Sequence, residues 1–216
     1  MSIFKTLDQI IEVRDFGFNA ITISFLAIAI ISILQIRAAI KQNQKIRINK
    51  SGESWNLTLF AYLAAYFIAF IFYGVSRHSL ALFLSGLPGF FYFPIMINIW
   101  KYKKNSKLDK ISALVLFAII PLIAGTNHKG AAILIMFAIG AVAMLLQAYK
   151  MIKGDNYNDV EPAFLFSFLI SSIFWLIYSI STDDRIVIIS SSLTSIFILF
   201  LLIFYHRWLR KKRSAF

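Results

Sequence analysis

The chain has 216 residues, of which 59% are hydrophobic and 15% are charged, so its composition excludes a soluble globular domain. It contains no cysteine, which excludes disulfides, thiolate catalysis and cysteine-bound metal. The formal net charge of +12 is compatible with nucleic-acid binding, but the basic residues lie between long apolar runs. We therefore predict a membrane protein that does not bind nucleic acid.

Seven apolar runs are long enough to cross a hydrocarbon core about 30 Å thick, because a helix rises about 1.5 Å per residue. Residues 1–15, which precede them, mix apolar and charged side chains and lack the features of a signal peptide. We interpret this segment as an amphipathic helix lying on the membrane. The fourth run is the shortest and has polar ends. We predict an all-α polytopic protein with spans at 17–37, 56–75, 79–100, 111–126, 130–150, 163–181 and 185–206.

The distribution of basic residues predicts the orientation of the spans. With the N-terminus outside, most of the 22 Lys and Arg residues fall on the cytoplasmic side, including those that follow the last span. This is the positive-inside pattern of a seven-span protein with a cytoplasmic C-terminus, and it predicts contacts with anionic lipid. The residue usage, rich in Ile, Lys and Asn, favours a bacterial inner membrane. The basic residues left outside are Lys5, Arg14, Arg77, Lys129 and Arg185.

The first three and the last three spans share a pattern of residues. We align Leu34-Gln35 with Leu146-Gln147, the stretch 70–73 with 175–178, and Ser85 with Ser191, with one extra turn residue in the second copy. Three crossings leave the chain on the opposite side, so a second copy in the same orientation needs one inverting helix. We predict a 3+1+3 arrangement. Its parts are a first unit at 16–104, a linker helix at 105–128, a second unit at 129–208 and a basic tail at 209–216.

This ordered set of features resembles the PQ-loop family of SWEET-like transporters. The resemblance rests on the Gln that closes the first helix of each unit, the basic loop before Trp55, the aromatic-x-x-Tyr ends of the second helices and the short outer turns. Two features depart from the family pattern. Leucine stands before each Gln in place of a hinge proline, for which Pro88 and Pro94 are candidate substitutes. Serine stands at Ser85 and Ser191, where sugar-carrying members have Asn.

The resemblance implies a passive, alternating-access facilitator of a small neutral polar solute, with sugar as the first expectation. Counted from the outer boundary, Trp175 and Ser191 lie at similar depth, and Phe70 and Ser85 lie at the equivalent level of the first unit. Close packing is the alternative role for the serines, a place in the core is the alternative for Tyr66, and interfacial anchoring is the alternative for Tyr73 and Tyr178. The candidate pocket residues are Trp175, Phe70, Ser85, Ser191 and Tyr66; the candidate gate residues are Tyr73 and Tyr178 outside and Gln35 and Gln147 inside.

Several classes of function lack support in the sequence. All ten carboxylates fall in loops or tails, so tight proton coupling has no evident carrier. No cluster of His or carboxylate residues has metal-ligand spacing, and no nucleophile–base pair is evident, so we predict neither an enzyme nor a bound cofactor. Two alternatives stay open. One is a transporter of a vitamin-like nucleoside or an amino acid, and the other is a receptor or assembly subunit that does not transport. The sequence leaves the oligomeric state open.

Overall fold

The computed structural model describes residues 9–104, 106–153 and 160–213, which form nine helices and no strand. Residues 1–8 of the N-terminal segment, Asn105 of the linker, 154–159 and 214–216 of the basic tail lie outside the described residues. So do the carboxylates Asp8, Asp155 and Asp159. The helices are α1 Ile11–Arg14, α2 Ala20–Asn49, α3 Leu57–Arg77, α4 Leu80–Gly86, α5 Gly89–Tyr102, α6 Lys107–Gly125, α7 Lys129–Lys153, α8 Pro162–Ser181 and α9 Arg185–Arg213.

Six segments of the described chain are helices long and apolar enough to cross a membrane, which is consistent with a polytopic membrane protein. Large apolar side chains such as Ile30, Leu145 and Phe200 are exposed on the outside of the bundle, where lipid can solvate them. The predicted fourth span is the 19-residue helix α6, which begins with charged residues and is not among the six. The six segments are Ala20–Asn49, Leu57–Arg77, Leu80–Tyr102, Lys129–Gln147, Pro162–Ser181 and Arg185–Arg210.

Helix α2 is longer than the sequence predicts, since it continues to Asn49 instead of ending at residue 37. Ala38, Gln42 and Ile46 form a buried stripe at helical spacing, while Lys41 and Arg47 lie on the exposed face. Most of the basic residues that predicted a cytoplasmic loop therefore lie on the exposed side of a continuing helix, and Lys45 is half-buried. Helix α9 likewise continues past residue 206, to Arg213.

The predicted third span is divided into α4 and α5 at Leu87 and Pro88. Proline has no N–H for the helical hydrogen-bond ladder, so a break at this point is expected. Glycines on both sides of the break lie against α3. A Cβ added at Gly86 would collide with Ile71, and one at Gly89 would lie 3.0 Å from the Cβ of Phe67. The glycines allow α4 and α5 to pack closely on α3.

The contacts between helices follow the same order in both halves of the chain. Helices α4 and α5 contact both α2 and α3, so the third helical segment of the first half packs against the other two. In the second half α9 contacts both α7 and α8. The halves meet along two interfaces, α2 with α8 and α3 with α7, while α6 packs mainly on α3.

Hydrogen bonds between the halves repeat with a constant shift of 105 residues (178 − 73). At one end of the bundle the Tyr73 hydroxyl donates to Asp184, and the Tyr178 hydroxyl lies 2.8 Å from the hydroxyl of Ser79. Ser79 and Asp184 are themselves related by the same shift. Each also caps the helix that follows it, because its side chain accepts the N–H three residues on. We call this end of the bundle the tyrosine end.

The opposite end shows the same exchange. Gln147 accepts the backbone N–H of Asn56 at 2.7 Å, and Gln42 accepts that of Glu161 at 2.9 Å. Asn56 and Glu161 are the N-cap residues of α3 and α8, and both pairs obey the 105-residue shift. We call this end the glutamine end. Because equivalent residues lie at the same end, equivalent helices of the two halves run in the same direction.

The repeat observed in the structure corrects the alignment made from the sequence. Gln147 corresponds to Gln42, which lies two helical turns beyond Gln35. Ser85 corresponds to Ser190 rather than Ser191, because each donates to the carbonyl three residues earlier, at 2.9 and 3.1 Å. The second copy has no extra turn residue, since the left-handed residues His78 (φ 51°) and Asp183 (φ 50°) obey the same shift.

Candidate functional site

A cavity of about 70 Å³ lies between α3 on one side and α8 and α9 on the other. This volume has room for a few water molecules. Helices α2 and α7 each contribute one residue to the wall, Gln35 and Met144. None of the described residues that line the cavity carries a charge. Most of the wall is aromatic or hydroxylated, with Trp55, Tyr62, Tyr66, Phe67, Phe70, Phe164, Phe168, Trp175 and Phe197 as rings and Ser171, Ser172, Ser190, Ser191 and Thr194 as hydroxyls.

The structure brings four of the five candidate pocket residues to this wall: Trp175, Phe70, Tyr66 and Ser191. The Trp175 ring lies 5.8 Å from that of Phe70 and so faces the opposite half of the protein. Ser85 is excluded from the cavity. Its hydroxyl donates to the Leu82 carbonyl at 2.9 Å, and it is buried where α4 packs on α3.

The serines of α9 offer the cavity mainly hydrogen-bond acceptors. The hydroxyls of Ser190 and Ser191 both donate to the carbonyl of Val187, at 3.1 and 2.6 Å. Their protons therefore satisfy a carbonyl of their own helix, and each oxygen keeps acceptor capacity, although the hydroxyl of Ser190 also interacts with that of Tyr66. On α8, Ser172 donates to the carbonyl of Leu169 at 2.8 Å in the same way, and its oxygen also accepts the hydroxyl of Ser195 at 2.8 Å.

Two polar groups on the cavity wall have no hydrogen-bond partner among the described residues. These are Nε2 of Gln35 and the hydroxyl of Tyr62, on side chains that are almost completely buried. An unsatisfied buried polar group costs about 1–3 kcal/mol, so a bound solute or water that pairs with these groups would be stabilised. The sequence analysis placed Gln35 at a helix end. The structure places it in the middle of α2, which explains why it reaches the cavity instead of the glutamine end.

The tyrosine end is closed by two buried carboxylates. The Tyr73 hydroxyl donates to Asp184 at 3.0 and 3.3 Å, and Arg77 lies 3.6 Å from the same carboxylate. The Tyr178 hydroxyl donates to Glu12 at 2.5 Å. Both candidate outer gate tyrosines therefore bind carboxylates here.

Glu12 reaches the tyrosine end from α1. The described part of the N-terminal segment packs against α2 and α4. The carboxylates of Glu12 and Asp184 lie outside the spans, as the sequence indicates, but they are buried, which the sequence analysis missed. For Asp184 the N-cap position was a usable signal. Glu12 offered none, because its partners come together only in the fold.

The glutamine end is also closed by contacts between the halves. Gln147, the second inner gate candidate, donates to the carbonyl of Ser54 at 2.8 Å in addition to its bond with Asn56. Lys45 donates to the carbonyl of Val160 at 2.6 Å. Trp55 is fully buried between Phe60 and Phe164, with ring centroids 5.1 and 5.8 Å away. Trp55 therefore belongs to the packed core at this end of the bundle.

Metal ligands do not cluster in the described part of the chain, where no group of three or more His, Asp or Glu residues could hold an ion. Within the same residues, the polar groups that face the cavity are hydroxyls and one amide. This chemistry suits hydrogen bonding to a neutral molecule better than coordination of a cation.

Comparison with known structures identifies the fold. A structure of a eukaryotic SWEET transporter, determined at 3.7 Å resolution, matches with a TM-score of 0.59 and 14% sequence identity. The match covers 88% of this chain and 97% of that one. No protein-family model matches the sequence, and no curated protein matches it significantly. The chain therefore has a SWEET-like fold, and similarity at this level of identity shows the fold alone.

Proposed function

We propose that this protein is a membrane transporter that moves a small neutral solute by alternating access. The observation that carries the proposal is the cavity between the two halves, which exposes unpaired polar groups and is closed at both ends by hydrogen bonds between the halves. In such a carrier the bonds at one end separate while those at the other end persist. The SWEET-like fold supports this function.

The chemistry of the wall favours a neutral solute. An ion would lose its hydration on entering a site without opposite charge, which costs many kcal/mol. Aromatic faces such as those of Tyr66 and Trp175 pack against apolar faces of a ligand, while Gln35 and Tyr62 supply directed hydrogen bonds. Sugar is the first expectation for the solute. A vitamin-like nucleoside or an amino acid is the alternative within the same function.

The topology that we propose has seven crossings in the order 3+1+3, with α6 as the inverting helix. It is supported by the matching order of helix contacts in the two halves and by the charge distribution along the chain. The tyrosine end then faces outside and the basic glutamine end faces the cytoplasm, where anionic lipid surrounds it. We place the protein in a bacterial inner membrane, as a uniporter.

Flux assays in liposomes test this function. Purified protein is reconstituted, and a panel of sugars, nucleosides and amino acids is screened for exchange of labelled solute, with and without a pH gradient. We expect downhill exchange of at least one neutral solute that needs no gradient, and a Trp175→Ala variant that loses most of it. The matched control is Trp208→Ala, which changes a tryptophan outside the cavity wall.

Each contrary result has a distinct meaning. Flux that strictly requires a proton gradient contradicts uniport. Flux that Trp175→Ala leaves unchanged contradicts the assignment of the cavity. Binding of a solute or protein partner without flux of any compound contradicts transport, and it supports the alternative of a receptor or assembly subunit on the same fold.

A further inference from the structure

The N-terminal segment inserts one carboxylate between the two halves at the tyrosine end. Glu12 is 1% exposed, and its Oε1 accepts hydrogen bonds from the hydroxyls of Tyr178 at 2.5 Å and Ser79 at 2.7 Å. The backbone N–H groups of Leu80 and Ala81 complete the set at 2.9 Å each. Three of these four donors belong to the first half and one belongs to the second. A single side chain therefore ties both halves together.

The 105-residue shift explains why a carboxylate is needed from outside the repeat. In one half Asp184 occupies the turn position and binds Tyr73 directly. In the other half the equivalent turn residue is Ser79, which has no charge to offer Tyr178. Glu12 supplies the missing carboxylate, and Ser79 bonds to it. Both tyrosines therefore donate to a carboxylate, but only Asp184 lies within the repeated part of the chain.

The backbone fixes the segment that carries Glu12. The N–H of Ile11 donates to the carbonyl of His78 at 3.0 Å, in the turn between α3 and α4. Asn19 then caps α2, accepting the N–H of Thr22 at 2.9 Å, and its amide donates to the carbonyl of Asp15 at 2.7 Å. The segment is therefore held at both ends. Its one deeply buried charged group points at the closure between the halves.

We propose that Glu12 is a latch that holds the tyrosine end of the cavity closed. Separation of the halves at this end requires Tyr178 to leave a carboxylate in a site with little water, and bonds to charged groups are the stronger class. The latch deepens the proposed function, since it assigns a residue to the outer closure of the same cavity. Access to the cavity can nevertheless be measured without any transport.

A single-cysteine experiment measures that access, because the natural chain contains no cysteine to interfere. Ser190→Cys places an isosteric thiol on the cavity wall, and a small water-soluble maleimide reports how often the cavity opens. In this background Glu12→Gln keeps the side-chain volume but removes one acceptor oxygen and the charge. We expect the labelling rate of purified protein in detergent to rise about tenfold.

Matched variants separate a latch from a general loosening of the structure. Asp15→Asn removes the same charge from a half-exposed residue of the same segment that pairs with Arg14 and not with the second half, and it leaves the labelling rate unchanged. Ser85→Cys is the shift-equivalent of Ser190→Cys and is equally buried, but it lies off the cavity. If Glu12→Gln opens only the cavity, the cysteine at position 85 stays unlabelled. A labelling rate that rises at both cysteines overturns the proposal.

Tyr178→Phe tests the same bond from the other half. We expect it to raise labelling of Ser190→Cys in the same direction, and the combination with Glu12→Gln to add little, because both changes remove a shared bond. An unchanged rate with folded Glu12→Gln overturns the latch. If Glu12→Gln does not fold, an unchanged rate with Tyr178→Phe overturns it instead. Failure of the transport proposal shows separately, as absent flux in liposomes.

Discussion

Helices α3 and α8 occupy equivalent positions in the two halves, but at three equivalent positions α3 carries an aromatic ring where α8 carries a serine. The 105-residue shift pairs three aromatic residues of α3 with three serines of α8. Towards the tyrosine end both helices keep a ring, as Phe70 with Trp175 and Tyr73 with Tyr178. The pairs are Tyr62 with Ser167, Tyr66 with Ser171 and Phe67 with Ser172.

This difference displaces the cavity towards the second half. The small side chains of α8 expose α9 behind them, so Val187, Ser190 and Ser191 reach the cavity wall. The equivalent residues of the first half, Leu82 and Ser85 among them, are hidden behind the rings of α3. A backbone with nearly twofold contacts therefore encloses an asymmetric site, because the volume of a few side chains decides where empty space remains.

Glycine has the complementary role in the first half. Gly86 and Gly89 bring α3 close to α4 and α5, whereas their equivalents in α9, Ser191 and Thr194, lie on the cavity wall. The same positions thus allow close helix packing in the first half and line the cavity in the second half. The asymmetry predicts that residues related by the shift respond differently to substitution.

Filling the cavity should have the most severe consequence. Ser171→Tyr gives α8 the side chain that α3 carries at Tyr66, and the added ring has only the cavity to occupy. We expect transport in liposomes to fall at least 100-fold while the protein still folds, because the change uses existing empty space. Ser181→Tyr, at an exposed position of the same helix, is the control and keeps its activity. Retained transport in Ser171→Tyr would show that the solute passes elsewhere.

The sequence predicts the general architecture because several of its patterns each indicate the same kind of protein. Long apolar runs and flanking charges indicate an all-helical polytopic protein, and the order of weak motifs indicates the SWEET-like fold. Trp175 and Phe70 could be placed facing each other, since both follow from counting along helices of known direction. Such inferences need only the rise of a helix.

The sequence could not set the register of the repeat at the glutamine end. Leu34-Gln35 and Leu146-Gln147 match by residue type, but Gln42 is the residue that binds an opposing N-cap as Gln147 does. Both Gln35 and Gln42 lie on the buried face of α2, so periodicity alone does not separate them. The role of Glu12 was equally hidden, because its bonds join parts of the chain that are distant in sequence.

The two interfaces between the halves also differ in the sizes of the side chains that meet there. Across α3 and α7 the Tyr62 ring lies where a Cβ on Gly140 would collide with it. Gly140 is the shift-equivalent of Gln35, which faces the cavity from α2. The first interface therefore combines a ring with a glycine. The equivalent positions across α2 and α8 are an amide and a small hydroxyl, Gln35 and Ser167.

Gly140→Ala should consequently destabilise the protein through Tyr62. The methyl group forces the ring towards the cavity, and we expect a loss of about 2 kcal/mol in stability, seen as a lower unfolding temperature in detergent. Gly125→Ala, where a Cβ meets nothing within 4 Å, is the control. Adding Tyr62→Leu to Gly140→Ala should recover most of the lost stability, because the smaller side chain removes the collision. A loss that Tyr62→Leu leaves unchanged would contradict this contact as the cause.

The smallest expected effect concerns the hydroxyl of Tyr62, which has no described hydrogen-bond partner. Tyr92 is the matched residue, because its hydroxyl is also buried without a described partner but does not line the cavity. We expect Tyr62→Phe and Tyr92→Phe each to raise stability by about 1 kcal/mol, since each removes a polar group that burial penalises. Thermal unfolding in detergent measures this gain. Only Tyr62→Phe should weaken transport, by about fivefold in apparent affinity, because its hydroxyl can bind solute. Equal transport in both variants would show that the Tyr62 hydroxyl is a cost of packing and makes no contact with the transported molecule.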